Sequence, residues 1–290
     1  MPRSPDEVVS YYQWKATEFD AKYSMNHITH IHTGHYDPNE HPQLFRAGWI
    51  SPNLGRERIQ FLMYAGQDKT VTNLISSAIC ETMPRTILDC GAGHGGTALI
   101  LAERYGAAVD ALTISPEQAT LIQSNATSLG LHAQVHPLVG DVLSMNGFSH
   151  PAYDLITGID AFCQIGNPRE LFSILRTTQN FGSILAISDY FASAKDGKLV
   201  ERFNDYWRSD ITRLADTISA LESCGYRLVR LTDTTRQQLP FWELSIAYAS
   251  TRPPNLSDRR ISQSKSFHQL LHDSFQDGGL SYYQLICAAR

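Results

Sequence analysis

The stretch TILDCGAGHGGTALILAERYG, which begins at Thr86, constrains the fold more than any other part of the chain. An apolar strand pattern runs into Asp89, glycines fall at positions 91, 93, 95 and 96, and a helical pattern starts near Thr97. Glycine permits a tight turn and a close approach of backbone to a ligand, and the first amides of the following helix are unpaired donors. Downstream, AAVDALTIS, QVHPLVGD, YDLITGI, GSILAISDY, YRLVRLTD and YYQLICAA also read as strands. Amphipathic segments separate the first five strand-like runs, and the sixth from its predecessor. This alternation predicts an α/β fold with a doubly wound, mostly parallel sheet. No helix follows the last run, so it is expected to insert antiparallel beside its neighbour.

Ahead of Thr86 the pattern changes. DEVVSYYQWKATEFDAKY reads as a helix opened by Asp6, LGRERIQFLMYAGQDKTVTNLISSAI reads as another, and no strand signal is visible. Residues 1–85 are therefore expected to form a helical cap on a core of residues 86–290. LVERFNDYWRSDITRLADTISALESCG, preceded by the turn-forming SAKDGK, supplies a second cover around residues 198–224. TRPPNLSDRRISQSKS is the most loop-like stretch.

Charge and composition narrow the partners. A net charge of -5 without any Lys/Arg block argues against nucleic acid, whose phosphates need basic neutralisation. No apolar run approaches the ~20 residues of a membrane span, and MPRSPDEVVSYYQWK has no apolar signal region. The five cysteines are scattered without a C-x-x-C pair and read as reduced thiols. A cytoplasmic protein with a small-molecule substrate is expected.

The glycine loop does not match the dinucleotide fingerprint. That motif wants G-x-G-x-x-G and an acid about 20 residues on, at the end of the next strand. Here Asp89 precedes the glycines, and the next strand ends in LTIS. The order D-x-G-x-G-x-G, T-I-S-P-E-Q, G-D, Y-D-L-I resembles the class I S-adenosylmethionine-dependent methyltransferases, most closely over residues 86–197. The T-x-S-x-x-Q element is similar to that of the cyclopropane fatty acid synthase and terpenoid C-methyltransferase branch. The resemblance implies a Rossmann-like sheet of seven strands and S-adenosylmethionine as cofactor.

Residue by residue, the resemblance implies that Gly91, Gly93 and Gly95 shape the turn beneath the methionine part of the cofactor, with Asp89 near its amino group. Thr113, with Gln118, stands where relatives place a ribose-binding acid. Asp141 matches the residue that receives the adenine amino group, or else caps a helix, and Val142 packs on the ring. HITHIHTGHYDPNEH holds five of the eleven histidines. Density alone suggests a metal, but no cysteine or helical H-x-x-x-H frame accompanies these histidines, and no metal is expected. IHTGHYDP instead resembles the segment that closes over the methionine end of the cofactor in this branch. His32 is then the cofactor contact, His35 and Tyr36 face the acceptor, and His27, His30 and His41 are surface or packing residues.

Methyl transfer asks mainly for alignment of nucleophile, methyl carbon and sulfur, so the acceptor must be inferred from the pocket lining. In relatives that methylate alkenes, a carboxylate after the fourth strand takes a proton from the carbocation. Within TGIDAFCQIGNPRELF, Asp160 holds that place and Glu170 is the alternate. Aromatic rings bury a prenyl chain and stabilise a developing cation. Tyr11, Trp14, Phe203, Tyr206, Trp207 and Trp242 are expected to line the acceptor pocket, together with Tyr12, Phe19 and Phe241. Arg56, Arg58, Arg202 and Arg208 could hold a diphosphate, but they form no compact cluster, so a prenylated acceptor without diphosphate stays open. The expectation is C-methylation of an isoprenoid-containing natural product, with ring closure as one fate of the cation; N- or O-methylation is the alternative. A homo-oligomer is expected, its first helix capping either its own pocket or a neighbour's.

Overall fold

The computed structural model describes residues 4–79, 83–144, 148–150, 152–193 and 197–290. Cys80 and residues 194–196 of the SAKDGK turn lie outside these residues. Helix α1 (Pro5–Tyr23) is capped by Ser4, whose side chain accepts from Glu7 N while Glu7 returns to the Ser4 amide. Asp6 therefore lies inside the first turn and does not open the helix as expected; S-P-D-E carries both the capping box and a proline suited to the first helical position. Two short strands, β1 (Ser24–Met25) and β2 (Ile28–Thr29), form a hairpin where no strand was expected. Two residues are too few to leave a period-two pattern. Asn26 and His27, both at positive φ, make its turn.

Helix α2 (Arg56–Ala78) leads into the main sheet: β3 (Thr86–Cys90), α3 (Gly96–Tyr105), β4 (Ala108–Thr113), α4 (Pro116–Ser128), β5 (Val135–Val139), β6 (Leu155–Ile159), α5 (Pro168–Thr177) and β7 (Ile184–Ala192). Next come α6 (Gly197–Trp207), α7 (Leu214–Ser223), β8 (Tyr226–Asp233), α8 (Thr235–Ser250), α9 (Asp258–Gln276) and β9 (Leu280–Ala289). The seven strands lie in the order β5-β4-β3-β6-β7-β9-β8, and β9 runs antiparallel to both neighbours. That is the expected sheet, with its last strand inserted antiparallel.

Alternation along the strands sorts side chains to two faces. Ile87, Val109 and Leu155 pack beneath α2, α3 and α4, while Leu88, Leu112 and Ile156 pack against α5 and α7. A third, aromatic cluster joins α2, α8 and α9 to Tyr190 and Tyr282 at one end of β7 and β9.

Two expectations fail in the connections. Among the described residues the β5–β6 link holds only a turn, where an amphipathic segment was expected. SDRRISQSKS, read as loop, caps and starts α9: Ser257 accepts from Arg260 N, and Ser264, Phe267, Leu271, Ser274 and Phe275 are buried. The apolar stripe begins only in the helix's third turn, so its polar opening looks like loop in the sequence.

Candidate active site

A crevice of about 300 Å³ opens at the carboxyl ends of β3, β4 and β6, where open α/β sheets bind ligands. Its floor is the glycine loop. Gly91 and Gly93 have φ of +83° and +54°, and a Cβ would lie 2.5 Å from Ala161 Cβ and from Ile31 Cδ1 respectively, so only glycine fits. Both line the crevice. Gly95, at φ +85°, caps α3 and faces Ile122, so it shapes the loop from behind without lining the crevice.

The crevice wall carries polar atoms without protein partners. Among the described residues, Asp89 Oδ2 and Gln118 Nε2 are both buried and unbonded. Burial pushes the Asp89 carboxyl up to about 7. Thr113 Oγ1 donates to Gln118 Oε1, which leaves the amide NH₂ of Gln118 toward the space. Asp141 accepts from Leu143 N at 3.0 Å in a turn and not at a helix start, and Val142 beside it is buried. A carboxylate with one oxygen unbonded, an unpaired amide donor, loop amides and an apolar wall are the groups that could hold S-adenosylmethionine: Asp89 could meet the ammonium, Gln118 and Thr113 the ribose, and Asp141 and Val142 the adenine.

A second chamber, of about 80 Å³, adjoins the crevice. Tyr12, Ile31, His32, Asp160 and Gln164 line both and form the passage between them. Asp160 follows β6 at φ +50°. Its Oδ2 accepts from Thr33 N and Thr33 Oγ1, each at 2.7 Å, and from the Tyr190 hydroxyl at 2.9 Å, while its Oδ1 accepts from the Tyr282 hydroxyl. Burial raises its carboxyl above the usual range against the pull of these donors. His32 Nε2 meets His30 Nδ1 at 3.1 Å, and Gln67 of α2 donates to the carbonyls of both. Burial lowers the His32 imidazole to about 4, so it is neutral at pH 7.

Helix α1 closes over its own chain's pocket. Gln164 donates to the Tyr12 hydroxyl at 2.8 Å, Asp20 pairs with His94 in the glycine loop at 2.9 Å, and Gln13 donates to Glu117 of α4 at 3.0 Å. The chamber beyond is aromatic: Tyr11, Tyr190, Tyr206, Trp207, Phe241 and Trp242 line it.

Several expected site residues lie elsewhere. Trp14 is 58% exposed and stacks under the Arg260 guanidinium on the outer face of α1, so it does not line the pocket. Tyr36 is core, its hydroxyl donating to Leu62 O at 3.0 Å. His35 is buried in neither cavity, near Lys69, with its amide on Gly66 O. Phe203 is fully buried behind the lining, against Trp207 and Phe267. Glu170 is exposed at the crevice rim, where its carboxylate accepts from Asn167 Nδ2, and it does not reach the chamber. Among the described residues, no three His, Cys, Asp or Glu side chains converge as metal ligands.

The sequence reading also missed parts of the site. Thr33, Tyr190 and Tyr282 hold Asp160 from three separate segments, with no local signal beyond Thr33's adjacency to His32. Lys15 and Lys22 are buried chamber walls that flank Glu18, to which Arg260 also bonds. This is a compact cationic cluster where none was expected. The spacing of 15, 18 and 22 on one helical face was a readable signal; Arg260, 242 residues from Glu18, was not. Arg56, Arg58, Arg202 and Arg208 line neither cavity.

A family profile described as a methyltransferase domain matches residues 87–180. Ajmaline N-methyltransferase of Rauvolfia serpentina is 24% identical over an alignment of 258 residues that covers 76% of this chain and 88% of that one. A probable chloroplastic tocopherol O-methyltransferase of Oryza sativa subsp. japonica is 26% identical over 77% of this chain; the match spans 61% of that longer protein. Geranyl diphosphate C-methyltransferase of Streptomyces coelicolor A3(2), solved with Mg2+, geranyl diphosphate and S-adenosyl-L-homocysteine, superposes with a TM-score of 0.78 at 16% identity over the whole of both chains. The matched profile and the methyltransferase relatives make the chain an S-adenosylmethionine-dependent methyltransferase, and its seven-stranded sheet is Rossmann-like.

Proposed function

We propose that this enzyme methylates carbon at a double bond of a prenyl-bearing small molecule, and that Asp160 takes up the proton released. The carrying observation is the place of Asp160: a buried carboxylate in the passage shared by the cofactor crevice and an aromatic chamber. When bound, the cofactor supplies an electrophilic methyl group, and capture of that methyl by a π bond leaves a carbocation on the acceptor. Such a cation needs aromatic faces, which Tyr12, Tyr190, Trp207 and Trp242 offer. It also needs a base that stays in place. Four hydrogen bonds orient Asp160, and its raised affinity for a proton suits that role. The chamber's small volume, about 80 Å³, favours a small acceptor segment. Where the proton is not removed promptly, an internal π bond can capture the cation and close a ring.

Methylation at nitrogen or oxygen is the second reading, favoured by the likeness to an N-methyltransferase and an O-methyltransferase. Mass and NMR analysis of product made with methyl-labelled cofactor and a prenylated acceptor separates the two. Label on an sp² or sp³ carbon of the prenyl chain is expected; label on N or O overturns the carbon assignment.

A further inference from the structure

The chamber has a cationic end that proton removal at Asp160 does not use. On α1, Tyr11, Lys15, Glu18 and Lys22 recur at helical spacing, and all line the chamber. Glu18 pairs with Lys15 at 3.2 Å and with the Arg260 guanidinium at 2.5 Å. Among the described residues Lys22 makes no hydrogen bond and no ion pair within 4 Å, although it is only 5% exposed; Glu18, one turn back and already paired with Lys15 and Arg260, supports its charge only from a distance, and its ammonium lies over the rings of Tyr23 and Tyr248, at 4.7 and 5.8 Å. Burying an unpaired charge is unfavourable unless an opposite charge meets it. Ten residues of helix separate Lys22 from Tyr12 in the passage, a rise of about 15 Å. The ammonium and the point of methyl transfer therefore mark opposite ends of the chamber's α1 wall.

We propose that Lys22, backed by Lys15, binds a carboxylate carried by the acceptor at the end remote from the methylated carbon. The proposal rests on the reading that this chamber holds the acceptor. One ammonium outside any close ion pair matches a monoanion. A diphosphate would call for more: the one guanidinium in the cluster is taken by Glu18 and Trp14, and among the described residues no set of metal ligands is assembled to bring a divalent ion.

The other titratable groups around Lys22 hold their charge near neutrality. Burial opposes ionisation of Glu18, but Lys15 and Arg260 outweigh it and its carboxyl stays low. Burial keeps His268 of α9 neutral and Tyr23, Tyr206 and Tyr248 protonated. Lys15 is lowered by burial but supported by Glu18. Lys22, lowered by burial to about 7, is the group that titrates.

The test is calorimetry on the full chain saturated with S-adenosylhomocysteine, using two matched pairs: geranic acid with geraniol, and 4-phenylbutanoate with 4-phenylbutanol. At pH 6 the acid of a pair is expected to bind at least tenfold tighter than its alcohol. The preference should shrink as pH rises to 9, and Lys22→Gln should reduce it to about twofold while S-adenosylhomocysteine affinity holds. No acid preference in either wild-type pair overturns the proposal, and so does a preference that survives in Lys22→Gln. Acid preference in the phenyl pair without binding of either prenyl probe supports Lys22 and sinks the prenyl reading alone. Geranyl monophosphate binding more than tenfold tighter than geranic acid would replace the carboxylate by a phosphoester and overturn the assignment.

Discussion

The cofactor crevice and the acceptor chamber share a wall but are built differently. Most of the crevice comes from one run of chain, Asp89 to Asp160, folded so that successive strand ends converge. It leaves polar atoms such as Asp89 Oδ2 and Gln118 Nε2 unpaired. The chamber draws on α1, residues 31–33, Tyr190, α6, α8 and α9, and its one passage carboxylate is bonded on both oxygens. The first region is prepared to be completed by a ligand's hydrogen bonds. The second holds its passage carboxylate fixed and offers rings, with Lys22 at its far end as the group left for a ligand to meet.

The largest test of this contrast is at the shared wall. Asp160→Asn keeps the shape and tolerates the left-handed backbone but cannot accept a proton. Removal of a general base costs about 10²- to 10⁴-fold in rate, so turnover should fall by that order while cofactor affinity changes less than about threefold. Single-turnover kinetics with titration of S-adenosylhomocysteine measures both. Loss of cofactor binding in place of turnover would assign Asp160 to the crevice and remove the base.

The same contrast explains what the sequence could show. Asp89, Gly91, Gly93, Thr113, Gln118, Asp141 and Val142 lie within a short stretch, and backbone geometry fixes where each must stand, so motif spacing carries over to positions in space. The central strands β3, β4, β6 and β7 were legible because both faces of the sheet are buried there and leave continuous apolar runs. His35 and Tyr36 were misplaced because a loop has no periodicity to say which way a side chain turns. Trp14 and Phe203 were misplaced by composition: aromatic residues on a covering helix can face the pocket, the core behind it or solvent, and only the partners decide. For Trp14 that partner is Arg260, 246 positions later in the chain; no local pattern could supply it.

A smaller effect is expected in the crevice. If Asp89 meets the cofactor's ammonium, Asp89→Asn removes the charge opposite it, and charge-assisted hydrogen bonds of about 1.5–3 kcal/mol translate into about 10- to 100-fold weaker binding. The pH dependence has a defined sign. Wild-type affinity should fall as pH drops below about 7, where the Asp89 carboxyl takes up a proton, and the Asn variant should lack this dependence. For the protein without cofactor the sign reverses. A carboxyl raised on folding adds stability below the usual carboxylate range and loses it as pH climbs through about 7. The variant should therefore melt higher than wild type at pH 8, as differential scanning fluorimetry can show.

The smallest effect separates the inner and outer surfaces of the cover. Trp242 is 4% exposed in the chamber wall, and among the described residues its indole N–H has no partner, so Trp242→Phe forfeits none of the hydrogen bonds described and leaves an aromatic face. Because Trp is the strongest cation–π partner and such contacts are worth about 0.5–2 kcal/mol, turnover should fall by about 3- to 10-fold. Trp14, on the outer face of α1, touches Arg260 and not the chamber. An exposed side chain of this kind changes stability by about 0.5 kcal/mol or less, so Trp14→Ala should leave turnover and acceptor KM within about twofold. If Trp14→Ala instead costs as much as Trp242→Phe, then the Arg260–Glu18–Lys15 chain beneath it passes the change to the chamber. The two faces of α1 would then act as one unit, and the separation of lining from cover would not hold.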